Sequence, residues 1–211
     1  MGDRLEDLWR EYRYAAVNLT IAALQVIVFI INTAMHGELF AKGMLSPAAV
    51  LEDHEFWRLF TVVFLHTDFP HLMSNLVGQI ALGNLLEQYY GHLRYLLIYA
   101  LCTIGAGGVS MAHALRTGWT GGSVGSSGAV FGLLGVLVAL IFMGRVYGNA
   151  ETLRGRAVFM IIYAVYVGSQ STHIDNAAHA GGLVTGILCG LLFAPSARSG
   201  FRSPRSRRRR G

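Results

Sequence analysis

The chain has 211 residues, of which 53% are hydrophobic and only 14% charged. A soluble domain carries about 25% charged residues, so this composition, with its long uncharged runs, excludes an ordinary soluble domain and points to an integral membrane protein. The formal net charge of +5 is concentrated at one end, where Arg198, Arg202, Arg205 and Arg207 to Arg210 supply seven of the 17 basic residues; a nucleic-acid-binding role does not follow from it.

In chain order, Met1 to Arg13 is a short polar lead-in of mixed charge, open to an amphipathic-helix reading. The first apolar run, roughly Tyr14 to Met35, has about the 20 residues that cross a bilayer. It lacks a small-residue cleavage site and exceeds a signal-peptide core, so it reads as a retained anchor. A long connection follows, His36 to Pro70, with an acidic patch (Glu52, Asp53, Glu55) and the aromatic residues Phe56, Trp57, Phe60 and Phe64. Such rings settle at the membrane interface. Five further spans are expected at roughly His71–Tyr90, Tyr95–Leu115, Gly125–Met143, Ala157–Gln170 and Asn176–Ala194, the fifth span of the chain being short. The expected fold is all-α: a six-helix membrane bundle over residues 14–194, preceded by a cytoplasmic segment (1–13) and followed by a basic cytoplasmic tail (195–211).

Basic residues in short loops set orientation. With the first helix entering from the cytoplasm, Arg4, Arg10, Arg13, Arg94, Arg145, Arg154, Arg156 and the tail arginines lie inside, against Lys42, Arg58 and Arg116 outside. Both termini are then cytoplasmic, and the tail reads as a topology anchor with affinity for anionic lipid. Cys102 and Cys189 sit inside apolar runs and read as small buried residues rather than a disulfide or metal site.

On that topology the second, fourth and sixth spans all run inward from the outer face. His71 opens the second, Ser127 the fourth, and His179 lies in the first turn of the sixth. Three segments thus deliver reactive side chains to one depth, and ionisable groups inside spans default to functional hypotheses. Gly182, Gly186 and Gly190 form a stripe on nearly the same face as His179, while Gly128, Gly132 and Gly135 run beside Ser127. Such stripes let helix backbones approach closely. By themselves the stripes read first as ordinary tight packing, and Ser127 alone as a helix cap. Ser127 also meets free N–H groups and the positive dipole end of its helix, which suit a developing oxyanion. His71 and Asn75, four apart, share a helix face.

These residues resemble the motifs of rhomboid intramembrane serine proteases. His71-Leu72-Met73-Ser74-Asn75 matches the family's HxxxN, Gly125-Ser126-Ser127-Gly128 its GxSG, and Ala178-His179-Ala180-Gly181-Gly182 its helix-six AH motif. Trp57-Arg58 matches the WR pair of the first outer loop, and Glu87 falls where the family has a glutamate near the inner end of the second span. Two departures are minor: Ser126 stands where alanine is frequent, and Phe131 where some members have tyrosine. The resemblance implies a Ser127–His179 dyad, with Ser127 as nucleophile and His179 as general base and then acid. It also implies an oxyanion site made of the Ser127 backbone N–H with the side chains of His71 and Asn75. Gly125, Phe131, Trp57, Arg58 and Glu87 are substrate or scaffold candidates, Arg58 and Glu87 as hydrogen-bonding scaffold. The implied partners are transmembrane protein substrates cut near the outer face and the lipid bilayer, with neither metal nor other cofactor.

Asp175, four residues before His179, reads as a helix cap rather than a third triad member, and Asn176 either begins the helix or lines the site. His66 either touches substrate or buttresses its loop; His36, His54, His92, His113 and His173 read as loop or helix-end histidines. The polar connection Ser169 to Asp175, with the outer part of the fifth span, is expected to act as a lid. No HExxH spacing occurs, which argues against a zinc protease. The alternatives are a non-proteolytic rhomboid-like protein that binds membrane helices, disfavoured because both Ser127 and His179 are present, and a small transporter, disfavoured because the polar groups share one depth. A prokaryotic cytoplasmic membrane is the expected location; the sequence sets neither substrate nor oligomeric state.

Overall fold

The computed structural model describes residues 15–145 and 174–194, with residues 13, 155, 158, 159, 161 and 162. Its elements are helical. The first span forms α1 (Ala16–Ala34). Its capping residue, Ala15, offers no side-chain cap, and its first turn has no acidic residue. The orphan N–H groups that every helix start presents are met from across the fold: the Glu87 carboxylate accepts from the backbone N–H of Val17 and Asn18 at 2.9 and 2.7 Å.

The connection expected to lie in the interface contains α2 (Glu38–Gly43), α3 (Pro47–Leu51), α4 (Arg58–Thr61) and a 3-10 turn, Val62–Phe64. Pieces of four to six residues present no helical periodicity, which is why the sequence reads as loop. Arg58 ties them together, donating to the carbonyls of Ala41 and Met44 at 3.2 and 2.9 Å and pairing with Glu55. Phe56, Trp57 and Phe60 stay exposed.

The second, third, fourth and sixth expected spans appear as α5 (Phe69–Tyr90), α6 (His92–Thr117), α7 (Ser127–Phe142) and α8 (Asn176–Leu192). Helix α5 starts two residues earlier than expected because Asp68 caps it and Pro70 occupies its first turn, a position where the missing N–H of proline costs nothing. The fifth expected span, Ala157–Gln170, lies outside the described residues apart from Val158, Phe159, Ile161 and Ile162, which are helical and exposed. The lid connection up to His173, the N-terminal segment other than Arg13, and the basic tail lie outside them too. Helices α1 and α6 are long and apolar enough to cross a membrane; α7 and α8 are apolar but shorter.

Helices α1 and α5 pack antiparallel, with Gln25 donating to Gln79 at 2.9 Å and Asn18 to Asn84 at 2.8 Å. Helix α6 joins this ladder through the hydroxyls of Tyr95, donating to Asn18, and Tyr99, donating to Gln79. Asn18, Gln25 and Gln79 are fully buried and partner one another and the two tyrosines, as buried polar groups generally do, with Gln25 Oε1 and Gln79 Nε2 left over among the described residues. Leu133, Leu137 and Leu140 of α7 fill the centre of the core, and the thiols of Cys102 and Cys189 meet there, unbridged. On its other side α7 packs on α8 through the two glycine stripes. A Cβ on Gly182 would fall 2.0 Å from the Gly128 carbonyl oxygen, and one on Gly186 would fall 1.9 Å from that of Gly132. Backbone lies directly on backbone, and no side chain larger than hydrogen fits.

Candidate active site

Three helix starts converge. Ser127 is the first residue of α7, His179 lies in the first turn of α8, and His71 in that of α5. The glycine joint brings Ser127 and His179, 52 residues apart, to 2.8 Å between Oγ and Nε2. The His179 imidazole stacks on Phe131, with ring centroids 4.1 Å apart and planes 9° from parallel. This contact fixes the ring plane without using either ring nitrogen. Asp175 is not a partner of that ring. Its two oxygens accept from the Ala178 backbone N–H and the Ser110 hydroxyl, making it the cap of α8.

The segment before Ser127 is stitched to the interfacial connection. Leu45 and Ser123 exchange both backbone hydrogen bonds at 2.9 Å, and the Gly125 N–H donates to the Val62 carbonyl at 3.0 Å. Gly125 has φ +107°, a conformation side chains rarely adopt, and its missing Cβ leaves room for two polar groups. A Cβ there would stand 2.8 Å from His71 Nε2 and 3.3 Å from Asn75 Nδ2. Asn75 is buried, and its Nδ2 has no hydrogen-bond partner among the described residues. That is a donor aimed at the space beside the serine. Ser126 is also buried; its hydroxyl approaches Tyr99 without a well-formed hydrogen bond. A small recess beside Ser127 is walled by Val62, Thr103, Ala106, Gly128 and Ala178.

His66 packs edge-on against His71, with centroids 5.2 Å apart. Burial, followed by the neighbouring His71, pushes its pKa down to about 4. Asp68 is held below the ordinary carboxyl range by the His71 backbone N–H and then by the Thr67 hydroxyl. The remaining candidates stand apart from this centre. Trp57 is half exposed on the interfacial connection, Arg58 is bound to backbone carbonyls there, and Glu87 sits buried near the far end of α5. Thr67 and Asp68 escaped sequence reading as site residues. Their signal was the Asp-Phe-Pro run just before His71, a capping residue followed by proline in the first helical turn. Among the described residues no His, Cys, Asp and Glu side chains gather as a metal site would need.

The Rhomboid domain model matches residues 53–196. The chain is 35% identical over 165 residues to RHOMBOID-like protein 1 of Arabidopsis thaliana, covering 78% of this chain and 41% of that protein. It is 30% identical over 168 residues to Rhomboid protease GluP of Bacillus subtilis (strain 168), covering 78% and 32%. To Rhomboid-like protease 2 of Toxoplasma gondii it is 34% identical over 140 residues, covering 65% and 47%. The matched region thus spans half or less of each of these relatives. With the family's domain model covering more than half of the sequence, the chain belongs to the rhomboid family, whose members are integral membrane proteins.

Proposed function

We propose that the chain is an intramembrane serine endopeptidase that cuts transmembrane protein substrates near the outer face of the membrane with a Ser127–His179 dyad. The observation that carries this reading is the 2.8 Å contact between His179 Nε2 and Ser127 Oγ at the mouths of two interlocked helices. A neutral His179 accepts the serine proton as Oγ attacks the peptide carbonyl, then returns that proton to the departing amine. A second cycle with water releases the acyl group. The tetrahedral oxyanion is met by the Ser127 backbone N–H at the start of α7, by Asn75 Nδ2 and by His71. Phe131 keeps the imidazole in plane for both transfers. The small-walled recess beside Ser127 suits a small residue at the cut site.

In this reading the domain is a six-helix membrane bundle that includes α1, α5, α6, α7 and α8, with both termini in the cytoplasm. Breaking a substrate helix in lipid strands its backbone groups, so a polar pocket open near the outer face favours unwinding there. A prokaryotic cytoplasmic membrane is the proposed setting.

Fluorophosphonate labelling of the purified protein in lipid, alongside Ser127→Ala and His179→Ala, tests the reading. Labelling that maps to Ser127 and disappears in both variants is the expected result, and the labelling rate falls as the pH drops and His179 takes up a proton. Well-folded wild type that resists the probe and leaves a reconstituted transmembrane substrate intact would overturn it.

A further inference from the structure

The hydroxyl of Thr67 touches two groups at once, Asp68 Oδ2 at 2.8 Å and His71 Nδ1 at 3.0 Å. Threonine has one hydroxyl proton to give. Asp68 is ionised at neutral pH, held low by the His71 backbone N–H and the Thr67 hydroxyl, and an ionised carboxylate only accepts. The Thr67 proton therefore goes to Asp68, and the Thr67 oxygen must accept from His71. That places a hydrogen on Nδ1 of His71. The other ring nitrogen, Nε2, is the atom that faces Gly125 beside Ser127. In a neutral ring with Nδ1 protonated, Nε2 carries a lone pair, which would repel the oxyanion that Asn75 stands ready to receive.

We propose that Thr67 is a positioning residue that pins a proton on Nδ1 of His71, so that His71 can donate to the oxyanion only as an imidazolium with its second proton on Nε2. This rests on the proposed role of His71 as an oxyanion donor. The second proton comes from solvent, and His71 keeps both, donating hydrogen bonds and transferring neither. Among the described residues the titratable groups facing His71 are Asp68, His66 and His179. Asp68 supplies the counter-charge through Thr67. His66, at about 4, is neutral over the working range. His179 must be neutral to accept the serine proton. The two histidines of the site thus work in opposite protonation states, and the rate has both an acid limb, from His179, and an alkaline limb, from His71.

The ring tautomer is read directly by nitrogen-15 NMR of histidine-labelled protein in bicelles, above the titration of His71, with its resonances identified by their loss in His71→Gln. Wild type and Thr67→Ser should show the hydrogen on Nδ1, and Thr67→Val should move the ring toward Nε2–H. An Nε2–H ring in wild type overturns the inference. In proteolysis, kcat/KM of wild type and Thr67→Ser should fall about tenfold per pH unit on the alkaline side. Thr67→Val should lose that limb, because its neutral ring can present Nε2–H. A Thr67→Val enzyme slowed evenly at every pH, with the limb intact, also overturns it. The tautomer is measured without turnover, so it separates the two readings. An Nδ1–H ring in a chain that no fluorophosphonate labels would sink the protease reading while supporting the assignment to Thr67.

Discussion

The two ends of α5 treat buried polar groups in opposite ways. Near its C-terminal end, Glu87 is almost completely buried and its carboxylate is filled, accepting from the backbone of Val17 and Asn18 and touching His92. Near its N-terminal end, Asn75 is buried with its amide nitrogen unpartnered, beside a glycine that makes room for it. One helix thus carries a filled carboxylate that joins helices and, toward its other end, an unpartnered amide donor beside the proposed nucleophile. An unpaired buried donor costs about 1 to 3 kcal/mol, a cost that the proposed oxyanion would remove. Gln25 Oε1 and Gln79 Nε2, in the ladder between these ends, are also buried without a partner among the described residues, so what sets Asn75 apart is its place beside Gly125 and Ser127.

This contrast is open to attack at both ends. The largest effect is expected at the filled one. Glu87→Ala leaves the start of α1 without its acceptor and should destabilise the fold by about 3 kcal/mol or more, seen as lost folded yield, while the surviving folded molecules label with the probe at a near-normal rate. A stable Glu87→Ala protein with no reactivity would reverse the assignment of the two ends. Acid should find the other end first. His66 titrates at about 4 when folded against 6.5 ordinarily, so the unfolded chain binds its proton first. The stability this gives the neutral ring is complete above pH 6.5 and is lost as the pH falls toward 4, about 3 kcal/mol in all. The thermal midpoint of wild type should drop across that window, and His66→Gln should flatten the drop. Asn75→Ala should leave the midpoint nearly unchanged and slow probe labelling about 10²-fold. A large loss of stability with normal labelling would make Asn75 a scaffold residue like Glu87.

Much of this was legible in the residues. Long apolar runs bracketed α1, α5, α6, α7 and α8 to within a few positions because each is continuous and bounded by polar or glycine-rich stretches. The glycine stripes pointed to close approach of α7 and α8, and their backbone contact is what brings His179 to Ser127. The short helices α2, α3 and α4 were hidden, since they owe their shape to tertiary ties such as Arg58 to the Ala41 and Met44 carbonyls. Asn18, Gln25 and Gln79 carried no reading in the sequence, because a pairing such as Gln25 with Gln79, 54 residues apart, or Asn18 with Tyr95, 77 apart, cannot be guessed from spacing. Thr67 drew no notice for a related reason: its significance lies in how one hydroxyl proton is shared between two neighbours, which no pattern of residue types encodes.

The joint beneath the Ser127–His179 contact has a mechanical consequence. Gly182 rests on the carbonyl of Gly128, and Gly186 on that of Gly132, within a turn or two of His179 and Ser127. No rotatable side chain lies between the two backbones, so nothing in the joint can change rotamer and let the gap drift. Proton transfer tolerates a donor–acceptor window only a few tenths of an ångström wide. Here that tolerance is set by two peptide planes in direct contact, much as a bearing without a shim holds its clearance. The precision of the Ser127–His179 contact is a property of the backbone, and a single methyl group on either glycine would be read out at the serine as distance.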